Sequence, residues 1–228
     1  MSYIVAIIPA RGNSKSIPNK NLQKLGDHSL LGLAILSAQR SECFDEIIVT
    51  TDNEKIAKEA SLYGATVILR PDHLAADNAK SIDAVIHVLE TLKVSSGISV
   101  LLQPTSPFRN SSHILDALKC FEAVAANSVV SVCESDSHPY KMLVKFDDEF
   151  EPVKDIHLFE SPRQSLPKSY LVNGAIYIND IAKLLDCRSF FNAPLSYYEM
   201  GRIESMDIDY TTDLDNARSI FDKMNLGV

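Results

Sequence analysis

Arg11, Lys15 and Lys20 fall within IIPARGNSKSIPNKN, residues 7–21, together with Asn13, Ser14 and Asn21 and without one acidic side chain. Such a loop suits polyphosphate: a guanidinium makes bidentate contacts to phosphate oxygens, the ammonium groups act as point charges, and Gly12 lets backbone N–H groups come close. The loop matches neither GxxxxGK[ST] nor GxGxxG, so another nucleotide-binding design is needed. Asp207-Ile208-Asp209 is the acidic counterpart. In a strand, residues two apart share a face, so both carboxylates can hold one hard divalent cation, magnesium being served by one or two carboxylates plus substrate phosphates. The plainer readings are a solvated basic loop and a pair of helix-capping aspartates. Asp213 and Asp215, nearer the following helix, suit capping better, which leaves Asp207 and Asp209 for the metal.

Composition narrows the setting. The 228 residues are 46% hydrophobic and carry a net charge of −8, enough for one compact domain with a sizeable core and against a general nucleic-acid binder. Residues 1–26 hold four basic groups and no acid, leaving −12 for the rest, so the positive charge is local. No apolar run reaches the ~18 residues of a membrane span, and the first residues enter a strand without a leader-like pattern; a cytoplasmic protein without membrane partners is expected. Cys43, Cys120, Cys133 and Cys187 are widely spaced and read as buried or half-buried thiols.

Elements that would position these residues follow from periodicity. Strands are expected at Tyr3–Ile8, Glu46–Thr51, Ala65–Leu69, Ile98–Leu102 and Ser128–Cys133, and helices over Leu30–Ala38, roughly 54–62, Ile82–Leu92 and Ile114–Phe121. Thr51-Asp52-Asn53-Glu54 matches a capping box with Thr51 as N-cap. The alternation predicts a doubly wound, mainly parallel α/β sheet covered on both faces. It stops after His138, so roughly 139–200 is expected as an inserted dimerisation and sugar-binding subdomain, with strands at Met142–Phe146 and Val172–Ile178 and an irregular remainder up to Tyr198. A final amphipathic helix runs through Leu214–Met224, capped by Thr211 or Thr212. In open parallel sheets ligands bind beyond the carboxyl ends of the strands, where the basic loop and the Gln103-Pro104-Thr105-Ser106 turn both fall.

IIPARGNSKSIPNKN, LLQPTSPFR (101–109), NGAIYIND (173–180) and MDIDYTTDLD (206–215) resemble, in that order, the acylneuraminate cytidylyltransferases, the CMP-sialic acid synthetases. The resemblance covers nearly the whole chain. It implies a Rossmann-like nucleotidyltransferase fold and attack by the anomeric hydroxyl of a nine-carbon 2-keto sugar acid on the α-phosphorus of CTP. It assigns Arg11, Ser14, Lys15, Lys20 and Asn21 to the triphosphate, Arg70 and Ser81 to cytosine and ribose, and Gln103, with Thr105 and Ser106 beside it, to the junction of nucleotide and sugar. Lys20, Asp207 and Asp209 would be catalytic, the aspartates holding Mg2+.

For the sugar side the resemblance implies Lys141, Arg163, Gln164, Asn173 and Tyr177, with Phe190 and Phe191 reaching the N-acyl group from the partner of a homodimer. Sialic acid enzymes commonly have arginine two residues before this Asn-Gly; here Leu171 stands there. N-acetylneuraminic acid is the first choice, and 2-keto-3-deoxynononic, legionaminic and pseudaminic acids stay open, as does a carboxylate held by Lys168. The eight-carbon 3-deoxy-manno-octulosonate enzymes share fold and reaction, but NGAIYIND favours the nine-carbon class. Two readings from other classes are a nucleotide-binding module without chemistry, which pyrophosphate release would exclude, and a scaffold whose basic loop grips an acidic partner, whose melting temperature CTP with magnesium should not shift.

Overall fold

The computed structural model describes residues 2–76 and 78–224. β1 (Ile4–Pro9) buries Val5 to Ile8 completely, as a parallel strand covered on both faces requires. Alternation sends Ala6 and Ile8 into one core and Val5 and Ile7 into another. After the basic loop, a small hairpin of β2 (Lys24–Leu25) and β3 (His28–Ser29) leads into α1 (Leu30–Gln39), whose N-cap Ser29 accepts from the Gly32 N–H at 2.9 Å.

β4 (Glu46–Thr51), α2 (Glu54–Leu62), β5 (Thr66–Leu69), α3 (Ser81–Leu92), β6 (Ile98–Leu102), α4 (Ser111–Ala123) and β7 (Ser128–Glu134) continue the expected alternation. The cap of α2 differs from expectation: Asn53 is the N-cap and accepts from Lys55 and Ile56, while Thr51 ends β4 and accepts from the Asn53 N–H at 3.1 Å. Thr51 is still paired in β4, so the helix starts at Glu54 and the cap falls to Asn53, whose side chain accepts from two of the orphan amides. The Ala6/Ile8 core packs α1, α2 and α4 against one sheet face, and α3 covers the other. At about 1.5–3 kcal/mol for each fully buried aliphatic side chain, these two layers carry most of the stabilisation.

The region after His138 is only partly an insertion. The hairpin of β8 (Leu143–Phe146) and β9 (Glu149–Pro152) forms a separate two-stranded sheet, as an inserted arm would. β10 (Tyr170–Asp180) and β11 (Leu195–Glu199) instead join the main sheet, whose order is β11-β7-β10-β6-β1-β4-β5. β10 runs antiparallel to both neighbours, and the other pairings are parallel. The stretch outside the sheet therefore ends near residue 169, and the part up to Tyr198 read as irregular holds β11 and a helix, α5 (Ile181–Cys187), capped by Asp180. α5 joins α3 on the second face.

α6 (Thr211–Met224) buries Leu214 and Ala217 in a third cluster with Leu25, Leu30, Phe108 and Ile208. Thr211 is its first helical residue and not its cap; Asp213, in the first turn, accepts from the N–H groups of Asp209 (3.0 Å) and Tyr210 (2.7 Å). The four cysteines are free thiols, and Cys187 is exposed, against the buried expectation. Among the described residues no helix is long and apolar enough to cross a membrane.

Candidate active site

The basic loop leaves the carboxyl end of β1 and returns in a single 3-10 turn at Lys20–Leu22. Asn21, only 7% exposed, donates its amide N–H to the Arg11 carbonyl at 3.0 Å, so it braces the loop from within. Gly12 has a different role from the one expected. Its N–H is taken by Asp52 Oδ1 at 2.9 Å, and a Cβ there would lie 2.6 Å from Asn53 Nδ2. The glycine is needed for the approach to the α2 cap, which ties the loop to the neighbouring strand end.

Asp207-Ile208-Asp209 belongs to no strand, correcting the expectation. A single backbone bond, Ile208 N–H to the Thr105 carbonyl at 2.9 Å, docks it beside the end of β6. Fully buried Ile208 anchors the segment, and the aspartates on either side line the cleft. Without a ladder the two carboxylates still reach one cleft, because the buried Ile208 between them anchors the segment. Burial raises the Asp207 pKa, a hydrogen bond from Thr105 opposes that, Asp209 raises it again and Lys20 lowers it. Lys20 Nζ lies 3.0 Å from Asp209 Oδ1 and 2.9 Å from the Ile208 carbonyl.

Arg70 follows β5, buried at 8% exposure. Burial lowers its pKa, Asp52 opposes this, and neighbouring Arg11 lowers it further. The positive potential the two guanidiniums share, only partly offset by Asp52, suits an anionic ligand. A cleft of about 320 Å3 brings together Arg11, Lys20, Asn21, Arg70, Ser81, Gln103, Thr105, Asp207 and Asp209. Lys80, immediately before the first residue of α3, also lines it; a basic residue beside a helix start is its signal in the sequence. Ser14 and Lys15 stand on the loop outside this lining, and Ser106 is 1% exposed behind it.

The sugar-side candidates are not gathered in this cleft. Arg163 and Gln164 line a second cavity of about 300 Å3 with Glu134, His138 and Lys168. Arg163 donates to the Ser135 carbonyl at 2.7 Å, Lys168 pairs with Glu134 at 3.3 Å, and Lys141 donates to the carbonyls of Phe159 (3.2 Å) and Ser161 (2.5 Å). Asn173, 6% exposed, is bonded to Ser131 and Ser205, a bracing position in the β10 bulge. Tyr177 stands near Asp207, which, after burial, raises its pKa; Phe190 and Phe191 pack on the Tyr177 ring with centroids 5.3 and 6.3 Å away. Phe191 remains 51% exposed and Leu171 60%.

Among the described residues no group of three or more His, Cys, Asp or Glu converges as a metal cage. Two carboxylates opposite a cationic wall offer the hard oxygen donors magnesium takes when phosphates complete its shell, and a cation there would offset the burial, and after it the Asp209 charge, that raise the Asp207 pKa. The donor set fits Mg2+.

A doubly wound sheet with a cationic, carboxylate-edged cleft beyond its strand ends defines an α/β protein of the nucleotide-binding class. The chain belongs to the cytidylyltransferase family, whose pattern matches residues 5–225. It is 38% identical over 97% of its length to an N-acylneuraminate cytidylyltransferase of Escherichia coli, of which it covers 53%, so the chain spans about half that relative's length. A CMP-N,N'-diacetyllegionaminic acid synthase of Legionella pneumophila is 36% identical, with 92% of each chain covered. The fold is similar to that of a CMP:2-keto-3-deoxy-manno-octonic acid synthetase solved with CTP, with a TM-score of 0.73, 16% identity and coverage of 98% and 100%.

Proposed function

We propose that this protein is a CMP-N-acetylneuraminate synthetase, transferring CMP from CTP to the anomeric hydroxyl of N-acetylneuraminic acid to supply activated sialic acid for surface glycans such as lipopolysaccharide or capsule. The observation that carries the reading is the meeting of Lys20 with Asp209 and Asp207 across a cleft that also holds Arg11 and Arg70. The sugar oxygen forms a bond to the α-phosphorus as the bond to the bridging oxygen breaks, pyrophosphate leaves, and the hydroxyl proton passes to a base, for which Asp209 is a candidate. Arg11 and Lys20 neutralise the charge that grows on the phosphate oxygens and leaving group. Arg70 and Ser81, which line the cleft, would meet cytosine and ribose as the resemblance implies, and Gln103 would bridge nucleotide and sugar.

Asp207 and Asp209 would hold Mg2+, which supplies charge neutralisation on the triphosphate. Phe190 and Phe191 would face the N-acyl group of a sugar shared with a second copy. The homodimer reading is supported by the arm, whose Leu143, Phe146, Phe150 and Ile156 are all exposed apolar side chains. A cytoplasmic setting accords with a CTP-dependent reaction. A second reading, a legionaminic, pseudaminic or 2-keto-3-deoxynononic acid substrate, rests on Leu171, an apolar side chain where sialic acid enzymes commonly carry an arginine.

The test is pyrophosphate release from purified protein with CTP, magnesium and, in turn, N-acetylneuraminic, 2-keto-3-deoxynononic, legionaminic, pseudaminic and 3-deoxy-manno-octulosonic acids. Turnover with N-acetylneuraminic acid is expected. Turnover with another nine-carbon acid alone would move the assignment to that acid, and silence with all five would overturn the reaction.

A further inference from the structure

Arg109 is 3% exposed, sits at the end of LLQPTSPFR, and does not line the nucleotide cleft. No carboxylate accepts from it among the described residues. One terminal nitrogen, Nη1, donates to the Gln103 carbonyl at 2.9 Å and to the Ala175 carbonyl at 3.1 Å, Nη2 reaches Ser37 Oγ at 3.3 Å, and Nε has no acceptor. Burying a guanidinium on neutral carbonyls alone is costly, and it pulls the Arg109 pKa down to about 9. A purely structural plug at this position would be cheaper as an apolar side chain.

The two carbonyls show what the charge accomplishes. The antiparallel β6–β10 ladder runs from Asp180↔Ile98 to Ile176↔Leu102, so the next opposed pair would be Ala175 and Gln103. The ladder ends there, and the guanidinium spans the two carbonyls where the strands part. Beyond the fork lie Gly174, at φ +77°, whose missing Cβ leaves room for Gln103 Oε1, and the Gln103-to-Thr105 turn that lines the cleft. Thr105 in turn holds Ile208, and with it both aspartates.

We propose that Arg109 is a positioning residue for nucleotidyl transfer: it clamps the parting ends of β6 and β10 and so sets Gln103 and Thr105, and through Thr105 the Asp207/Asp209 segment, relative to the triphosphate. The proposal rests on the cytidylyltransferase reading. Lysine keeps the charge, but its ammonium ends one bond short of the position Nη1 holds between the two carbonyls, and it has no second terminal nitrogen for Ser37. A misplacement near 1 Å at a reacting group can cost on the order of 100-fold in rate.

The experiment compares wild type with Arg109→Lys by circular dichroism, thermal melting and steady-state pyrophosphate release, with CTP and the active sugar acid varied separately. Expected is a folded variant whose kcat per folded molecule falls at least about 30-fold while KM for CTP changes less than about threefold, because Arg11 and Lys20 still hold the triphosphate. A lower melting temperature with unchanged kcat would make Arg109 merely structural and overturn the proposal. If Arg109→Lys does not fold, Ser37→Ala removes the Nη2 anchor only; kcat should then fall about threefold at constant KM for CTP, and an unchanged kcat would overturn the proposal. Wild-type turnover separates the two layers: an inactive wild type overturns the reaction and this role with it, whereas an active wild type with an unimpaired variant overturns the role alone.

Discussion

Lys20 and Asp209 stand 189 residues apart in sequence, and the ammonium of one lies 3.0 Å from the carboxylate of the other. The same ammonium binds the Ile208 carbonyl, so Lys20 holds the acidic segment by two atoms while standing in the triphosphate cleft. An exposed pair of this kind contributes little to stability, within about 1 kcal/mol. Its consequence is positional: the residue that would meet phosphate also fixes the residue that would meet the cation.

Asp209→Ala therefore has a specific expected outcome. The side chain is 62% exposed and the fold does not depend on it, so the melting temperature should stay within a few degrees of wild type. Turnover should fall at least ~100-fold, the scale of losing a main source of transition-state charge stabilisation. Pyrophosphate release measured on the folded variant checks this; near-normal activity would remove Asp209 from the chemistry.

Asp207 predicts a change in stability of opposite sign to the change in activity. Its native pKa is raised above the ordinary carboxylate value of 3.8, first by burial, so the native state resists its ionisation. The native protein then binds more protons than the unfolded chain between that ordinary value and the raised one. Its share of stability is present at acid pH and lost as pH rises through the raised value. Asp207→Asn should accordingly melt a degree or two higher than wild type at pH 7, roughly the scale of a small single-site effect, with the gap closing towards pH 4. Activity should be lost at every pH. Melting curves across that range without magnesium test it, and a lower melting temperature at pH 7 would refute it.

Much of this arrangement was legible in the residue order, and the parts that were not share a physical cause. A short, fully apolar run such as Val5–Ile8 fits a strand covered on both faces, and with strands and helices alternating after it the next loop falls at the ligand-binding edge, so Arg11, Lys20 and Asn21 could be placed from pattern alone. β10 could not be: its alternation is the same whether it builds an arm or enters the main sheet between β6 and β7, and that choice is made by partners 36 or more residues away. The bracing roles of Asn173 and Gly12 are likewise set by Ser131, Ser205, Asp52 and Asn53, contacts that no local signal encodes. The side chains named for the sugar are spread out because Lys141, Arg163 and Gln164 lie in the stretch outside the main sheet, Asn173 and Tyr177 on β10 within it, and Phe190 and Phe191 after α5.

Phe191 is half-exposed on the Tyr177 ring, and Tyr177 is close enough to Asp207 for its pKa to respond. A ring in that position can cover an acyl methyl without touching the triphosphate. Phe191→Ala should raise KM for the sugar acid about tenfold and leave KM for CTP within about twofold, the pattern of lost uniform binding at one substrate only. Initial rates with each substrate varied in turn will read this, and equal rises for both would count against the assignment.

Gly174 gives the sharpest separation between strain and function. Its φ of +77° is a left-handed conformation that costs an L side chain about 1–2 kcal/mol, and an added Cβ would stand 2.7 Å from Gln103 Oε1. The glutamine tip can swing aside, so the backbone strain alone should set the stability loss of Gly174→Ala, a drop of several degrees in melting temperature. The swing itself removes Gln103 from the junction of nucleotide and sugar. Turnover should fall much further than a loss of folded protein explains, and Gln103→Ala combined with Gly174→Ala should be little worse than Gly174→Ala alone, because the two changes remove the same contact. Additive losses in that double-mutant cycle would show that Gly174 acts only through the backbone.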